Sequence, residues 1–319
     1  MTTSLRFRTL GATGLQVSEL GFGAAALGDE FGSVDPEEGT RAVHQAIDLG
    51  INFFDTSPYY GRTLSEERLG RALAGKRHQV ILATKCGRYD VDQFDFTRSR
   101  IRASVEQSLR RLRTDTIDLY QAHDIEWGQR MALVEETIPA LRELQAEGKV
   151  RFIGITGLQL EHLRHVAELA PVDTILSYCR YNLLADDLNT TLAAFARDRR
   201  IGLINASPLH MGMLTEQGAP PWHPASQTVH RTSSKAAELC RTRGADLSRV
   251  ALQYCLDSTG VATTLSGFAT AGQVRANVES AYAPRDPDLV HDLLALLAPV
   301  RNLIWPTGLP ENLDGATVY

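Results

Sequence analysis

The sequence predicts an α/β fold, a (β/α)8 barrel (TIM barrel) with an N-terminal β-hairpin and extra C-terminal helices, as one domain over residues 1–319. Three observations predict it. Short apolar runs rich in β-branched and aromatic residues recur eight times, helix-like segments separate them, and several runs end in a chemically distinctive polar residue. Parallel strands need a crossover of helix length to re-enter a sheet in the same direction, so this alternation builds a parallel sheet. Closing that sheet brings the C-terminal strand ends to one rim, where barrel active sites lie.

The opening LRFRTLGATGLQVSEL reads as a hairpin around a Gly11–Gly14 turn, placed to cover the barrel floor. The first four strand-like runs are LGFGA (20–24), INFFDT (51–56), VILATK (80–85) and IDLYQAH (117–123). The next four are RFIGIT (151–156), DTILSY (173–178), GLINAS (202–207) and VATTLSG (261–267). A helix follows the Asp35-Pro36 cap and stops at Gly50. Another begins at Ser65-Glu66-Glu67, whose acids suit the positive end of a helix dipole. A third starts near Thr97, and its basic run RSRIRASVEQSLRRLR reads as a solvated outer face. Between strands seven and eight lies a Pro-rich loop, HMGMLTEQGAPPWHPASQ (210–227), of a length that lids use, then helical stretches at 231–243 and 246–258. A further helix around 286–300 precedes a tail that carries Trp305.

Composition narrows the function. Apolar residues make up 43% of the chain, enough for a core, and the net charge of −5 with no basic interaction tail argues against nucleic acid and membrane surfaces as partners. No stretch approaches the ~20 apolar residues of a membrane span, and MTTSLRFRTL lacks a signal-peptide apolar region. Cys86, Cys179, Cys240 and Cys255 lie far apart, so a cytoplasmic location with neither disulfides nor a metal site is expected. His162 and His165 share a helix face at metal-ligand spacing but lack a third ligand, so a solvated face is the expectation. LGFGAAALG does not open a helix, because Pro36 starts the helix later, so a doubly wound dinucleotide fingerprint is absent. Outer barrel helices look alike whether solvated or paired, and the oligomeric state stays open.

Asp55 and Tyr60 in NFFDTSPYYG, Lys85 in VILATKCGRY and His123 in IDLYQAHDIE lie at three successive strand ends. A phenol with a pKa of about 10 is a poor base near neutrality, and an adjacent ammonium lowers that value by favouring phenolate. A carboxylate beside the lysine keeps it charged, and an imidazole can orient a substrate oxygen. Acid–base help of this kind is worth roughly 10²–10⁴ in rate. On spacing alone Tyr59 competes with Tyr60. Lys85 could instead form a Schiff base, but Asp55 should keep it protonated and non-nucleophilic.

With these residues in place, the chain resembles the aldo-keto reductase superfamily over almost its whole length. The motif of Asp, Tyr five residues later, then Lys and His matches Asp55, Tyr60, Lys85 and His123, and it selects Tyr60 over Tyr59. The resemblance implies a nicotinamide cofactor held near Ala24, by Thr156 and Gly157, and by Tyr178 or Ser177 beside it. It extends the site along SPLHMGML through Ser207, Pro208, Leu209, Met211, Gly212 and Leu214, and along GFATAGQVRAN through Gly267, Phe268, Ala269, Thr270, Gln273 and Asn277. Gly157 cannot supply the usual side-chain contact to the carboxamide, and Ala206 replaces a common stacking aromatic, a role open to Tyr178. Gly267 and Gln273 stand where members that bind the phosphorylated cofactor carry cations, which implies NAD preferred over NADP, with Arg275 the residue able to reverse it. Pyrophosphate is expected near the helix that follows Thr270.

The segments DTSPYYGRTLSE, EGKVRFIGITGL and NLIWP further resemble members that oxidise C1 of a hexose-type sugar to a lactone. Arg88, Tyr89, Asp124, Trp127 and Trp305 are the candidate sugar contacts. The alternatives are another sugar such as L-fucose or D-arabinose, a general aldehyde reductase, and a non-catalytic nicotinamide-binding subunit.

Overall fold

Eight parallel strands close into a barrel in the computed structural model, which describes residues 5–314. Hairpin strands β1 (Phe7–Thr9) and β2 (Gln16–Ser18) pair antiparallel ahead of it. The barrel begins with β3 (Leu20–Gly23), β4 (Phe53–Asp55) and β5 (Ile81–Cys86). A small antiparallel pair, β6 (Arg88–Asp90) and β7 (Gln93–Phe94), then projects from the rim. The barrel continues with β8 (Ile117–Ala122), β9 (Val150–Gly157), β10 (Thr174–Tyr178), β11 (Gly202–Ala206) and β12 (Thr263–Gly267), and β12 pairs with β3 to close it.

Period-two alternation fills the barrel. Phe53, Ala83, Leu119, Leu176, Ile204 and Leu265 come from six different strands and meet in one buried cluster. Leu10, Leu15 and Val17 of the hairpin join that cluster, so the hairpin is the floor of the barrel. Fully burying side chains of this size contributes roughly 1.5–3 kcal/mol each. The floor fits closely: a Cβ on Gly11 would fall 2.3 Å from the Gly202 amide nitrogen, and Gly11 has a φ of 54°.

The helices α1 (Pro36–Asp48), α2 (Leu64–Ala72) and α3 (Arg98–Leu112) follow the first three barrel strands. A short α4 (Arg130–Ala132) runs through a π turn into α5 (Ile138–Ala146). Next come α6 (Leu160–Leu169), α7 (Ala194–Arg199), α8 (Gln227–Thr242), α9 (Leu247–Leu256), α10 (Ala271–Tyr282) and α11 (Pro287–Leu297). The Asp35 cap accepts from the Glu38 amide at 2.8 Å with Pro36 in the first turn, as the sequence indicates. Leu289, Leu293 and Leu297 of α11 pack with Val229, Ala236 and Leu247 into a second apolar layer outside the barrel. Among the described residues no helix is long and apolar enough to cross a membrane.

Glu66 and Glu67 stand in the first turn of α2, as the sequence indicates, and Glu66 is fully buried, accepting from Thr84 at 2.7 Å and Arg111 at 2.6 Å, so it also ties α2 to β5 and α3. Three expectations need correction. The basic run on α3 is only partly solvated, since Arg98 pairs with Glu143, Arg102 with Glu147, and Arg111 with Glu66. His162 is buried and bonds the Ile125 carbonyl at 3.2 Å, because its helix face turns toward the barrel. Helix α8 starts four residues before the expected 231, where Ser226 accepts from the Val229 amide.

Candidate active site

The alternation that fills the barrel also builds the site. Asp55, Lys85 and Gln121 each lie two residues beyond a floor-facing member of the interior cluster, namely Phe53, Ala83 and Leu119. They therefore form the next layer toward the C-terminal rim. The Lys85 ammonium donates to Asp55 Oδ1, to the Thr56 carbonyl at 2.8 Å and, in a longer contact of 3.4 Å, to the Tyr60 hydroxyl oxygen. Gln121 Nε2 donates to the other Asp55 oxygen at 3.0 Å. The His123 ring stands edge-on to Tyr60 with centroids 5.8 Å apart. The structure thus brings Asp55, Tyr60, Lys85 and His123 around one small volume.

Burial opposes charge on Lys85, yet Asp55 and Tyr60 outweigh it and raise the lysine above its ordinary value, so the ammonium persists. Burial pushes the Asp55 carboxyl up, with the Lys85 ammonium and the Gln121 amide pulling it back. Burial also pushes the Tyr60 phenol up to about 12, although Lys85 draws it down. This reverses the expected phenolate: desolvation of the anion exceeds the attraction of an ammonium already shared with Asp55. Burial holds His123 down at about 3, with Asp124 opposing, so the imidazole is neutral.

The sequence did not single out Gln121, Ser57, Thr56 or Phe94. Gln121 left a signal, a polar residue in the period-two register of β8 that otherwise carries Ile117 and Leu119. Ser57 is buried with its hydroxyl 3.0 Å from His123 Nδ1. Phe94 stacks on Trp127 with centroids 4.8 Å apart, a contact made only when the β6–β7 pair folds over the rim.

The candidate sugar contacts divide. The Arg88 guanidinium lies 3.8 Å from the Tyr59 ring centroid and pairs with buried Asp124, next to His123. Trp127 is partly exposed on the same rim. Trp305 packs with Leu158, Cys179, Ile304, Tyr178 and Met211, so the C-terminal tail reaches the mouth. Tyr89 is anchored elsewhere: its hydroxyl accepts from the Gly87 amide at 3.2 Å and Arg100 covers its ring at 4.0 Å.

The candidate cofactor residues also divide. Tyr178, Ala206, Ser207, Leu209, Met211, Gly212, Ala269 and Thr270 are half-buried and Gly267 is exposed, forming an accessible strip along the ends of β10, β11 and β12. Nothing lies within 4 Å of where a Gly267 Cβ would sit, so backbone there is open to close approach. A strip of small groups and backbone beside Tyr60 fits a nicotinamide cofactor laid across the rim. Other members are occupied: Thr156 Oγ1 accepts from the Asp124 amide, Ser177 donates to the Gly157 carbonyl, and Asn277 donates to the Gln273 carbonyl. Ala24, Pro208, Leu214 and Phe268 are buried, and Phe268 packs on Phe22 at 5.2 Å. A Gly157 Cβ would lie 2.3 Å from Glu126 Oε2, so a larger residue there would require the Glu126 carboxylate to shift.

At the N-terminus of α10, amides expected near pyrophosphate are bonded within the protein. Gln273 Oε1 accepts from Ala269 and Thr270, Thr270 Oγ1 accepts from Gln273, and Glu38 accepts from Ala271 at 2.9 Å. Arg275 turns away to Gln45 at 3.0 Å. Among the described residues no group of three or more His, Cys, Asp or Glu could hold a metal ion.

A closed parallel barrel with an Asp–Lys–Tyr–His cluster at its mouth defines a class of oxidoreductase, and the chain belongs to the Aldo/keto reductase family, whose profile matches residues 19–296. Members of this family use nicotinamide cofactors. L-galactose dehydrogenase from Arabidopsis thaliana is 45% identical over 97% of this chain and 100% of its own. D-threo-aldose 1-dehydrogenase from a Pseudomonas species is 30% identical over 85% of this chain and 91% of its own. Among solved structures, the holo form of an aldo-keto reductase from Bacillus halodurans superposes with a TM-score of 0.77 at 30% identity, covering 92% and 96% of the two chains.

Proposed function

We propose that this enzyme is an NAD-dependent aldose 1-dehydrogenase of the cytoplasm that oxidises C1 of a sugar, with L-galactose converted to its lactone as the first candidate. The observation that carries the reading is the Tyr60 hydroxyl, set between the Lys85 ammonium and the His123 ring at the barrel mouth. Similarity to two sugar dehydrogenases, one at 45% identity over nearly the full chain, supports the substrate class.

When bound, the oxidised nicotinamide supplies the hydride acceptor. The fraction of Tyr60 present as phenolate, which Lys85 stabilises, takes the proton of the C1 hydroxyl as C1 gains carbonyl character and leaves the reaction as the neutral phenol. Asp55 keeps Lys85 charged, which also makes it a poor nucleophile and disfavours Schiff-base chemistry. His123 binds the reacting oxygen. Arg88 and Asp124 offer donors and an acceptor to the remaining hydroxyls, and the Trp127 and Trp305 faces suit the C–H surface of a sugar.

NAD is preferred in this reading because the start of α10 presents Gln273 and the Glu38 carboxylate, with Arg275 turned aside, so a 2′-phosphate would meet negative charge. The test is a spectrophotometric screen of L-galactose, L-fucose, D-arabinose and simple aldehydes with each cofactor. L-galactose with NAD should give the highest kcat/KM, and Tyr60→Phe should lower kcat roughly 10²–10⁴-fold while NAD still binds. Greatest activity as an aldehyde reductase would replace the substrate assignment, and a fully active Tyr60→Phe enzyme would end the mechanism.

A further inference from the structure

We infer that Ser57 is a positioning residue that sets His123 in its Nε2–H tautomer and so presents a neutral donor to the reacting oxygen. Ser57 lies two residues after Asp55 and is fully buried. Its Oγ accepts from the Tyr59 amide at 3.1 Å, and its other contact is His123 Nδ1 at 3.0 Å. A serine hydroxyl carries a single proton. If Nδ1 held the ring proton, Oγ would accept twice and its own proton would be buried without an acceptor, a situation folded proteins avoid. Donation from Oγ to Nδ1 satisfies both groups.

The other side of the ring supports the same tautomer independently. Nε2 lies 3.8 Å from Asp124 Oδ2, which favours an N–H over a lone pair facing that carboxylate oxygen. At that distance no hydrogen bond consumes the N–H, and none joins Nε2 to another described residue. The proton remains for a ligand. Because burial also keeps the ring neutral, the donor does not come from an imidazolium.

The chemistry distinguishes the two forms. An Nε2–H donor stabilises negative charge on the C1 oxygen and leaves proton removal to Tyr60. The opposite tautomer would face that oxygen with a lone pair. Ser57 touches neither substrate nor cofactor in this scheme and acts through His123.

The inference rests on the proposed oxidation only for the identity of the oxygen, and its test needs no sugar. In the full-length protein labelled with ¹⁵N-histidine, long-range ¹H–¹⁵N correlation at neutral pH should show His123 protonated at Nε2 and bare at Nδ1, with His123→Gln providing the assignment. Ser57→Ala should shift His123 to a mixture or to Nδ1–H, and Ser57→Thr, which keeps the hydroxyl, should restore the wild-type pattern. With the substrate found by the screen, Ser57→Ala should lower kcat about tenfold, as expected for one lost hydrogen bond, and leave the cofactor Kd unchanged. A wild-type His123 protonated at Nδ1 overturns the inference even if Ser57→Ala fails to fold, and so does a Ser57→Ala protein that keeps pure Nε2–H. Absence of sugar oxidation with the Nε2–H signal intact overturns the substrate reading alone.

Discussion

At the scale of the residue, Lys85 has the greatest structural consequence. It is 1% exposed and its partner Asp55 is 3% exposed, so either charge alone would be a buried ion without a counter-charge. Lys85→Met should therefore destabilise the protein by about 3–5 kcal/mol in urea unfolding, and Asp55→Asn in the same chain should recover much of that loss. Tyr60 obeys the same physics in the other direction. A phenol held near 12 is protonated at neutrality, so oxidation, which needs a base, should quicken as pH rises through the alkaline range. A kcat/KM profile that stays flat above neutrality would show that Tyr60 is not the base. The types of these four residues and their places at strand ends were legible in the sequence. The balance between burial and neighbouring charge was not, because it depends on how much water the closed barrel removes.

At the scale of the element, α10 shows why a residue inventory overstates a binding site. GFATAGQVRAN offered a helix N-terminus with free amides, but Thr270 and Gln273 form a capping box and Glu38 reaches across from α1. Replacing Gln273 with Arg and Glu38 with Gln should raise kcat/KM with NADP by ~10–100-fold, since a charge-assisted contact to the phosphate is gained and a repulsive carboxylate lost. Unchanged discrimination would place the adenosine end elsewhere. All eight barrel strands were found from apolar periodicity, with ends shifted by a residue or two where the ladder gives out. The loop at 210–227 is partly packed: His223 is buried and meets the His210 carbonyl at 3.2 Å, while exposed Trp222 contacts Phe31 of the loop after β3. Sequence indicated the length of that loop, and only its partners could show which parts are tied down.

At the scale of the whole molecule, buried histidines couple stability to pH. His123 and His210 are held down at about 3, and His162 and His223 at about 4, in each case mainly by burial. Between those values and the ordinary 6.5, the unfolded chain binds more protons than the folded one, so stability falls as pH drops through that window. Each histidine should cost about 2 kcal/mol by pH 5, where the folded state still keeps them neutral. Chemical denaturation midpoints should decline steadily from neutrality to pH 5, and a flat response would show that these rings are already solvated.

Sequence alone determined the barrel, the floor hairpin and the identity of the cluster at the mouth, because strand periodicity, helix caps and turn residues are local properties. The tertiary structure decided what those groups are chemically. A protonated Tyr60, a neutral His123 joined to Ser57, a Glu126 filling the space beside Gly157 and a self-capped α10 all arise from contacts between residues far apart along the chain. Protonation and hydrogen-bond direction follow from solvent exclusion and from which partner arrives in space, and neither is written in any short segment.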